Sequence, residues 1–490
     1  MDKLPIDLFN EFSQQREGEI LYQLLYRCLQ QGILKGLLKG GERLPSSREL
    51  AAQLKVSRNT VRMAYDQLIA EGYVESHQGA GSFITSLPEK LIHPPVDSSR
   101  DEALPPELSE LAQRYMASSS LYASGCMLLQ PAVQPMDHFP RKRWRRCLSA
   151  AADVDAMFGQ PPAGLRLLRE QIAGHLSTFR GIQVSAEQIL ITSGSQQASF
   201  MLASMLCNPG DRVLLETPGY PGTEAVLAAA GACVKHINWQ VLQDAQALNA
   251  CLTGSDARAL FITPSRNFPL GHTLPLEARL RILHWAAQNN RWIVEDDYDS
   301  EFAEGHPVSA LFALDQGKRV IYTGTFSRTM FPALRLGYMV LPEALVPAFL
   351  KARRLMDGGL SAVAQAAMGH FMSQGDYSRH IRKMRQLYQE RRSILEKLLA
   401  DSALSHLPVT DAGGGMHLVL ALPDSVDDKA LVHDLMAEGI GIRALSHYAS
   451  GNTSLKGLVI GFALNNADEM QQGIDRVEAH YLKLTAKTSG

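Results

Sequence analysis

Three stretches of this 490-residue chain concentrate side chains able to do chemistry. In "IVEDDYDSEF", Glu295, Asp296, Asp297, Asp299 and Glu301 gather around Tyr298 at the C-terminal end of a predicted strand. In "GTFSRTMFPALRLGY", Ser327, Arg328 and Arg335 offer hydroxyl and guanidinium donors. The third, "ILITSGSQQASF", reads as a strand, a Gly-Ser turn and a helix, which leaves the N–H groups of Ser195, Gln196 and Gln197 at a helix N-terminus that favours an anion. The acids show neither EF-hand spacing nor an accompanying histidine pair, so no metal site is expected. "AGGGMH" lacks the Lys-Ser or Lys-Thr that completes a P-loop.

A separate group lies near the N-terminus. Between Lys35 and Arg62 there are seven cations against two anions, although the whole chain carries a formal charge of −2. A basic stripe inside a near-neutral protein is the electrostatic footprint of a nucleic-acid-binding unit. Within it, "SRNT" places Ser57, Arg58, Asn59 and Thr60 at the start of a predicted helix, with Arg62 one turn on. Such donors suit base edges and phosphates. Arg43 and Arg48 flank the preceding turn, and Gly79 lets a hairpin backbone approach a groove.

The elements that must position these groups follow from periodicity. Helical spacing runs through "GEILYQLLYRCLQQGILKGLL", stops at Gly40-Gly41, and resumes as "RELAAQLK" and "RNTVRMAYDQLIAEG". Ser47 and Ser57 are the expected N-caps of the second and third helices. "YVESHQGAGSFIT" then reads as a hairpin around Gly79 and Gly81. Three helices and a hairpin make a winged helix-turn-helix over residues 1–85. Prolines, serines and charges mark 86–136 as a linker and connecting segment. Beyond it, strand-like runs such as "RVLLE", "ALFIT" and "RVIYTGT" alternate with helical ones, predicting an α/β domain with a largely parallel sheet over 137–341. A smaller α+β domain is expected over 342–490.

Bulk properties restrict the class. Hydrophobic residues make up 46% and charged residues 20%, and no run suggests a membrane span or secretory signal, so a cytoplasmic protein is expected. The six cysteines are scattered without a C-x-x-C pair, and buried, reduced thiols are expected.

From "LPSS" to "GSFI" the N-terminal unit resembles the winged-helix domain of GntR-type bacterial transcription regulators. In order, "ILITSGSQQASF", "ETPGYPG", "TPSRNFPLG", "IVEDDYDSEF" and "GTFSRTMFPALRLGYMVLP" resemble the fold-type I aminotransferase-like domain of the MocR subfamily of those regulators. The resemblance implies that double-stranded DNA is a partner. It also implies a head-to-tail, domain-swapped homodimer, a small-molecule effector, and a pocket for pyridoxal 5′-phosphate or a related pyridoxyl compound. In that pocket Asp296 would face the pyridine nitrogen, Tyr298 the phenolic oxygen and Tyr220 the ring face, while Ser195, Gln196, Ser327 and Arg335 would hold the phosphate. Read without the resemblance, Tyr220 is equally a turn aromatic and Arg335 a surface charge.

Arg328 stands where the family motif has lysine. Attachment of the cofactor requires an amine that can lose its proton, whereas a guanidinium stays charged and delocalised. Arg266 and Asn267 replace a common His-Gln pair, and Val459 lies near where many aminotransferases place a carboxylate-binding arginine. Three readings stand: a DNA-binding regulator whose pocket binds its ligand non-covalently and is not an enzyme; an aminotransferase-type enzyme fused to a winged helix; and a DNA-binding scaffold with an empty pocket.

Overall fold

The computed structural model describes residues 9, 20–86, 108–117, 127–152, 161–305, 308–410, 413–450 and 455–488. The chain divides into two units, Met1–Glu107 and Leu108–Gly490. In the first, helix Leu21–Leu34 buries Leu24, Leu25, Cys28, Leu29 and Ile33, the stripe expected of helical spacing. Helices Ser47–Leu54 and Arg58–Ala70 pack Leu50, Val61, Ala64 and Leu68 into the same core. Strands β1 (Val74–His77) and β2 (Gly81–Ile84) form the antiparallel hairpin. Gly79 and Gly81 between and within them have φ of 81° and 110°, which side chains rarely adopt. Ser57 caps its helix as expected, but the cap of the preceding helix is Ser46, not Ser47. Glu49 decides this, because it lies three residues after Ser46 and closes a reciprocal capping box with it.

The second unit is built on a seven-stranded sheet. Its strands are β3 (Ile189–Thr192), β4 (Arg212–Thr217), β5 (Cys233–Asn238), β6 (Ala259–Ile262), β7 (Trp292–Asp297), β8 (Val320–Thr325) and β9 (Gly337–Val340). They run in the order β3-β9-β8-β7-β6-β4-β5. β9 alone runs against the other six. The connection Phe326–Leu336 contains a single 3₁₀ turn, too little for the helical crossover that a parallel neighbour requires. Alternate residues of the strands face different cores: Val213, Phe261, Val294 and Ile321 join one, and Leu214, Leu260, Ile293 and Val320 the other. Helices therefore cover both faces of the sheet.

A second sheet, ordered β10-β11-β13-β12, is antiparallel and comprises β10 (Val409–Thr410), β11 (His417–Ala421), β12 (Arg443–Ala444) and β13 (Gly457–Gly461). Helices Asp376–Asp401 and Ala467–Thr488 accompany it. The expected connecting segment is more structured than its composition suggests. Residues 87–107 and 118–126 lie outside the described residues, but Glu110–Ala117 is a helix whose Tyr115 ring lies 6.2 Å from that of Phe200.

Cys28, Cys147 and Cys207 are buried thiols. Cys251 is half-buried, and Cys233 departs from expectation because it opens β5, the exposed edge strand. Cys126 lies outside the described residues. Among the described residues, no helix is long and apolar enough to cross a membrane.

Candidate effector cleft and DNA-binding surface

The acid-rich strand β7 sorts its carboxylates by the alternation of a strand. Glu295 turns into the interior and accepts hydrogen bonds from the Leu311 and Phe312 N–H groups at 3.0 and 2.9 Å. Asp297 pairs with the buried Arg180 guanidinium at 2.9 Å and accepts from Tyr322 Oη at 2.6 Å. Asp299, beyond the strand end, pairs with Arg266 at 3.2 Å. These three acids hold the structure together, while Asp296 faces a cleft.

That cleft encloses about 140 Å³ at the C-terminal ends of the central strands, and is lined by Ser195, Tyr220, Asp296, Tyr298, Ser327, Arg328 and Arg335, together with Thr263, Phe268, Thr325 and Pro332. Thr323 Oγ1 donates to Asp296 Oδ1 at 2.9 Å. Burial nevertheless raises the Asp296 carboxyl to about 6, with the neighbouring Asp297 adding to the rise and Thr323 and the Arg328 charge opposing it. Phe268 stands edge-on to both tyrosines, with centroid distances of 6.1 Å to Tyr220 and 5.6 Å to Tyr298. Tyr298 Oη is buried without a hydrogen-bond partner. Burial holds its hydroxyl far above the usual phenolic range, so it stays a neutral donor.

One end of the cleft is built from two segments. Gly194, at φ 82°, turns the chain into helix Ser195–Leu206, and Arg335, itself left-handed at φ 49°, donates from Nη2 to the Ser193 carbonyl at 3.2 Å. Gln196 is the one predicted cleft residue whose side chain is not on the wall: its Nε2 donates to the Gly222 carbonyl at 3.1 Å. Ser327 N–H donates to Thr325 Oγ1 at 3.1 Å. Two residues expected to lie in the connecting segment also support this wall. Arg328 Nη1 donates to the Ala132 carbonyl, and Gln134 Nε2 to the Ser327 carbonyl, both at 2.5 Å.

The other expected departures are elsewhere. Arg266 is buried on Asp299 and the Gly413 carbonyl, and Val459 is packed with Val419 and Leu445 in the small half. Asn267 lies beneath the cleft, donating to the Pro218 carbonyl at 3.2 Å. Beside it is Glu216, which sequence reasoning passed over although "ETPGYPG" contains it. Its carboxylate accepts the Thr263 N–H at 2.9 Å and the Thr263 hydroxyl. Burial raises its carboxyl to about 8 against those bonds. Thr263, Phe268 and Thr325 were likewise within or beside motifs already noticed; that they face the cleft depends on strand ends far apart in sequence. Among the described residues, no group of three or more His, Cys, Asp or Glu side chains could hold a metal ion.

In the first unit, Arg43, Arg48, Ser57, Arg58, Asn59, Arg62 and Gly79 are exposed and Thr60 is half-buried. Ser57 Oγ accepts from Thr60 N–H at 3.0 Å and meets Thr60 Oγ1 at 2.7 Å, so its visible work is capping. Arg58 Nε reaches Ser47 Oγ at 3.4 Å, while Arg62 Nη2 donates to Asn59 Oδ1 at 3.0 Å. Arg43 lies against Gly81, where an added Cβ would be 3.0 Å from its Nε. Gly79 is open to solvent, with nothing within 4 Å of where a Cβ would stand.

Comparison with known proteins joins the two units. Residues 21–84 match the gntR family of bacterial regulatory proteins, and residues 134–477 match aminotransferase class I and II. Over 447 residues the chain is 34% identical to the probable rhizopine catabolism regulatory protein MocR of Rhizobium meliloti, covering 90% of each. The chain belongs to the MocR subfamily of GntR-type transcription regulators. It is 32% identical over 435 residues to the HTH-type pyridoxine biosynthesis transcriptional regulator PdxR of Corynebacterium glutamicum, covering 88% of this chain and 89% of that one. As a MocR-type chain it is a DNA-binding regulator with an aminotransferase-like domain. Its fold is that of LysN, the alpha-aminoadipate aminotransferase of Thermus thermophilus, at a TM-score of 0.70 and 24% identity over 77% of this chain and 98% of that one. The Pyrococcus horikoshii kynurenine aminotransferase gives 0.67 and 24% over 79% and 98%.

Proposed function

We propose that the cleft receives a phosphorylated pyridine without covalent attachment, and that its occupation, not transamination, is what the aminotransferase-like domain contributes to regulation. The observation that carries this reading is Arg328, a guanidinium on the cleft wall tied to the Ala132 carbonyl. Pyridoxal phosphate, when bound, supplies an aldehyde that condenses with amines, and the lining residues include no lysine. The remaining chemistry suits the group. Asp296 would pair with the ring nitrogen, and Tyr298 Oη, buried without a partner, would donate to the phenolic oxygen. Tyr220 would lie on the ring. Ser195, Ser327 and Arg335 would hold the phosphate, joined by Gln196 through its main chain, since its amide is engaged by Gly222. Pyridoxamine phosphate, or a preformed adduct of pyridoxal phosphate with an amino acid, needs no protein amine and suits Arg328 better, because a guanidinium can pair with the adduct's carboxylate.

The same reading places Arg58, Asn59, Thr60 and Arg62 against a DNA groove, with Arg43, Arg48 and Gly79 at its phosphates. Ser57 serves by holding the helix start. It divides the chain into a DNA-binding unit over 1–85, a connection over 86–136, and large and small aminotransferase-like halves over 137–341 and 342–490. It also takes the chain to act in the cytoplasm as a head-to-tail homodimer.

Borohydride reduction with pyridoxal phosphate tests the central claim. Wild type should carry no pyridoxyl label, and Arg328→Lys should gain one. A wild-type label on a lysine that reaches the cleft from beyond the lining residues overturns non-covalent binding. An Arg328→Lys variant with neither label nor affinity points to the empty scaffold. Sedimentation of the same preparation should give the mass of two chains; a single-chain mass removes the dimer.

A further inference from the structure

A larger cavity, of about 440 Å³, opens between helix Arg166–Arg180 and helix Asp376–Asp401. It is within the size range of small-ligand sites, roughly 300 to 1,000 Å³. Nothing in the first cleft's chemistry uses it. Its floor is apolar, with Met372, Ile381 and the Phe179 ring, and its rim carries Arg382 and Arg385.

The charges there are unbalanced. Glu170, the acid on the rim, is engaged by Arg166 at 2.7 Å. Arg382 is exposed and, among the described residues, has no ion-pair or hydrogen-bond partner. Arg385 lies over the Phe179 ring, 5.7 Å from its centroid. Its Nε and Nη2 both donate to the Glu301 carbonyl, at 3.0 and 2.7 Å, which fixes the guanidinium and leaves Nη1 for another acceptor. His175, stacked on Phe179 at 5.5 Å, presents a buried Nε2 that makes no hydrogen bond and stands 3.6 Å from Glu301 Oε1.

From these groups we infer that the cavity is a second ligand site, for a small aromatic carboxylate whose acid pairs with Arg382 and Arg385 and whose ring packs among Phe179, Met372 and Ile381. A carboxylate matches the planar donors of a guanidinium, and an aromatic body matches a floor that water wets poorly. The two clefts are linked through one side chain: Tyr377 Oη, on the wall of this cavity, meets Glu301 Oε1 at 3.3 Å and Thr329 Oγ1 at 3.2 Å, and Thr329 follows Arg328 in the chain.

Calorimetric titration of the full chain with benzoate tests the site. Saturable one-to-one binding is expected, weakened about tenfold or more by Arg382→Ala, the loss of one charge-assisted bond. Phe179→Leu should weaken it several-fold, and Arg335→Ala, in the other cleft, should leave it unchanged. Inorganic phosphate, with charge but no ring, should bind at least about tenfold more weakly than benzoate. Absence of saturable binding overturns the inference. So does benzoate binding that Arg382→Ala leaves unchanged, or phosphate binding as tight as that of benzoate.

Discussion

Helix Arg58–Ala70 and the candidate cleft are both rich in arginine and hydroxyl side chains, yet they are assembled in opposite ways. On helix Arg58–Ala70 the candidate contacts occupy consecutive positions, point into solvent, and touch mainly one another at three- and four-residue spacing: Ser57 with Thr60, Asn59 with Arg62 and Met63. In the cleft, Ser195, Tyr220, Thr263, Asp296 and Ser327 come from the ends of different strands, and Thr263, Asp296 and Ser327 are held by residues distant in sequence. A change on the helix should stay within that helix, whereas one beneath the cleft should pass to other strands.

The largest effect should come from Glu216→Gln. Its carboxyl lies at about 8 against an ordinary value of 4.5, so the folded chain holds a proton that the unfolded chain releases. Stability should therefore fall as pH rises through that window, by up to about 1.4 kcal/mol per pH unit for one group. Glutamine mimics the protonated acid, so in urea unfolding Glu216→Gln should match wild type near pH 5 and exceed it by about 2 kcal/mol or more near pH 8. Equal destabilisation at both pH values would mean that shape, not charge, governs this position.

Smaller and confined to DNA is the effect of Arg58→Ala. Titration of a specific duplex should show a loss of about 1 to 3 kcal/mol, with nonspecific duplex less affected. Equal weakening of both would assign Arg58 to phosphate and shift base reading to its neighbours. The salt dependence of the wild type should be steep in either case.

Smallest is Ser57→Ala, which removes a helix cap and should lower thermal stability by about 1 kcal/mol without changing the preference among duplexes. A changed preference would show that the hydroxyl touches DNA after all, and would blur the division between a self-supporting helix and its contacts.

What could be read from the chain alone is what depends on near neighbours. The three helices and hairpin of the first unit follow from apolar spacing, serine caps and glycine, and the strand and helix alternation of the second predicts a largely parallel sheet. Even there a local competition escaped: Ser46 and Ser47 are equivalent as caps until Glu49 is paired with one of them. That residue 328 is an arginine was also legible, and an amine and a guanidinium differ in kind. Tertiary structure decided which members of each motif share a wall. It placed Asp296 in the cleft and buried Glu295 and Asp297 on other partners, and it sent Arg266 to Asp299. It also brought Ala132 and Gln134, nearly 200 residues away, under Arg328 and Ser327. The physical reason is that a strand's period of two sets which side chains face alike, but only the order of strands and the satisfaction of buried polar groups determine what each face meets.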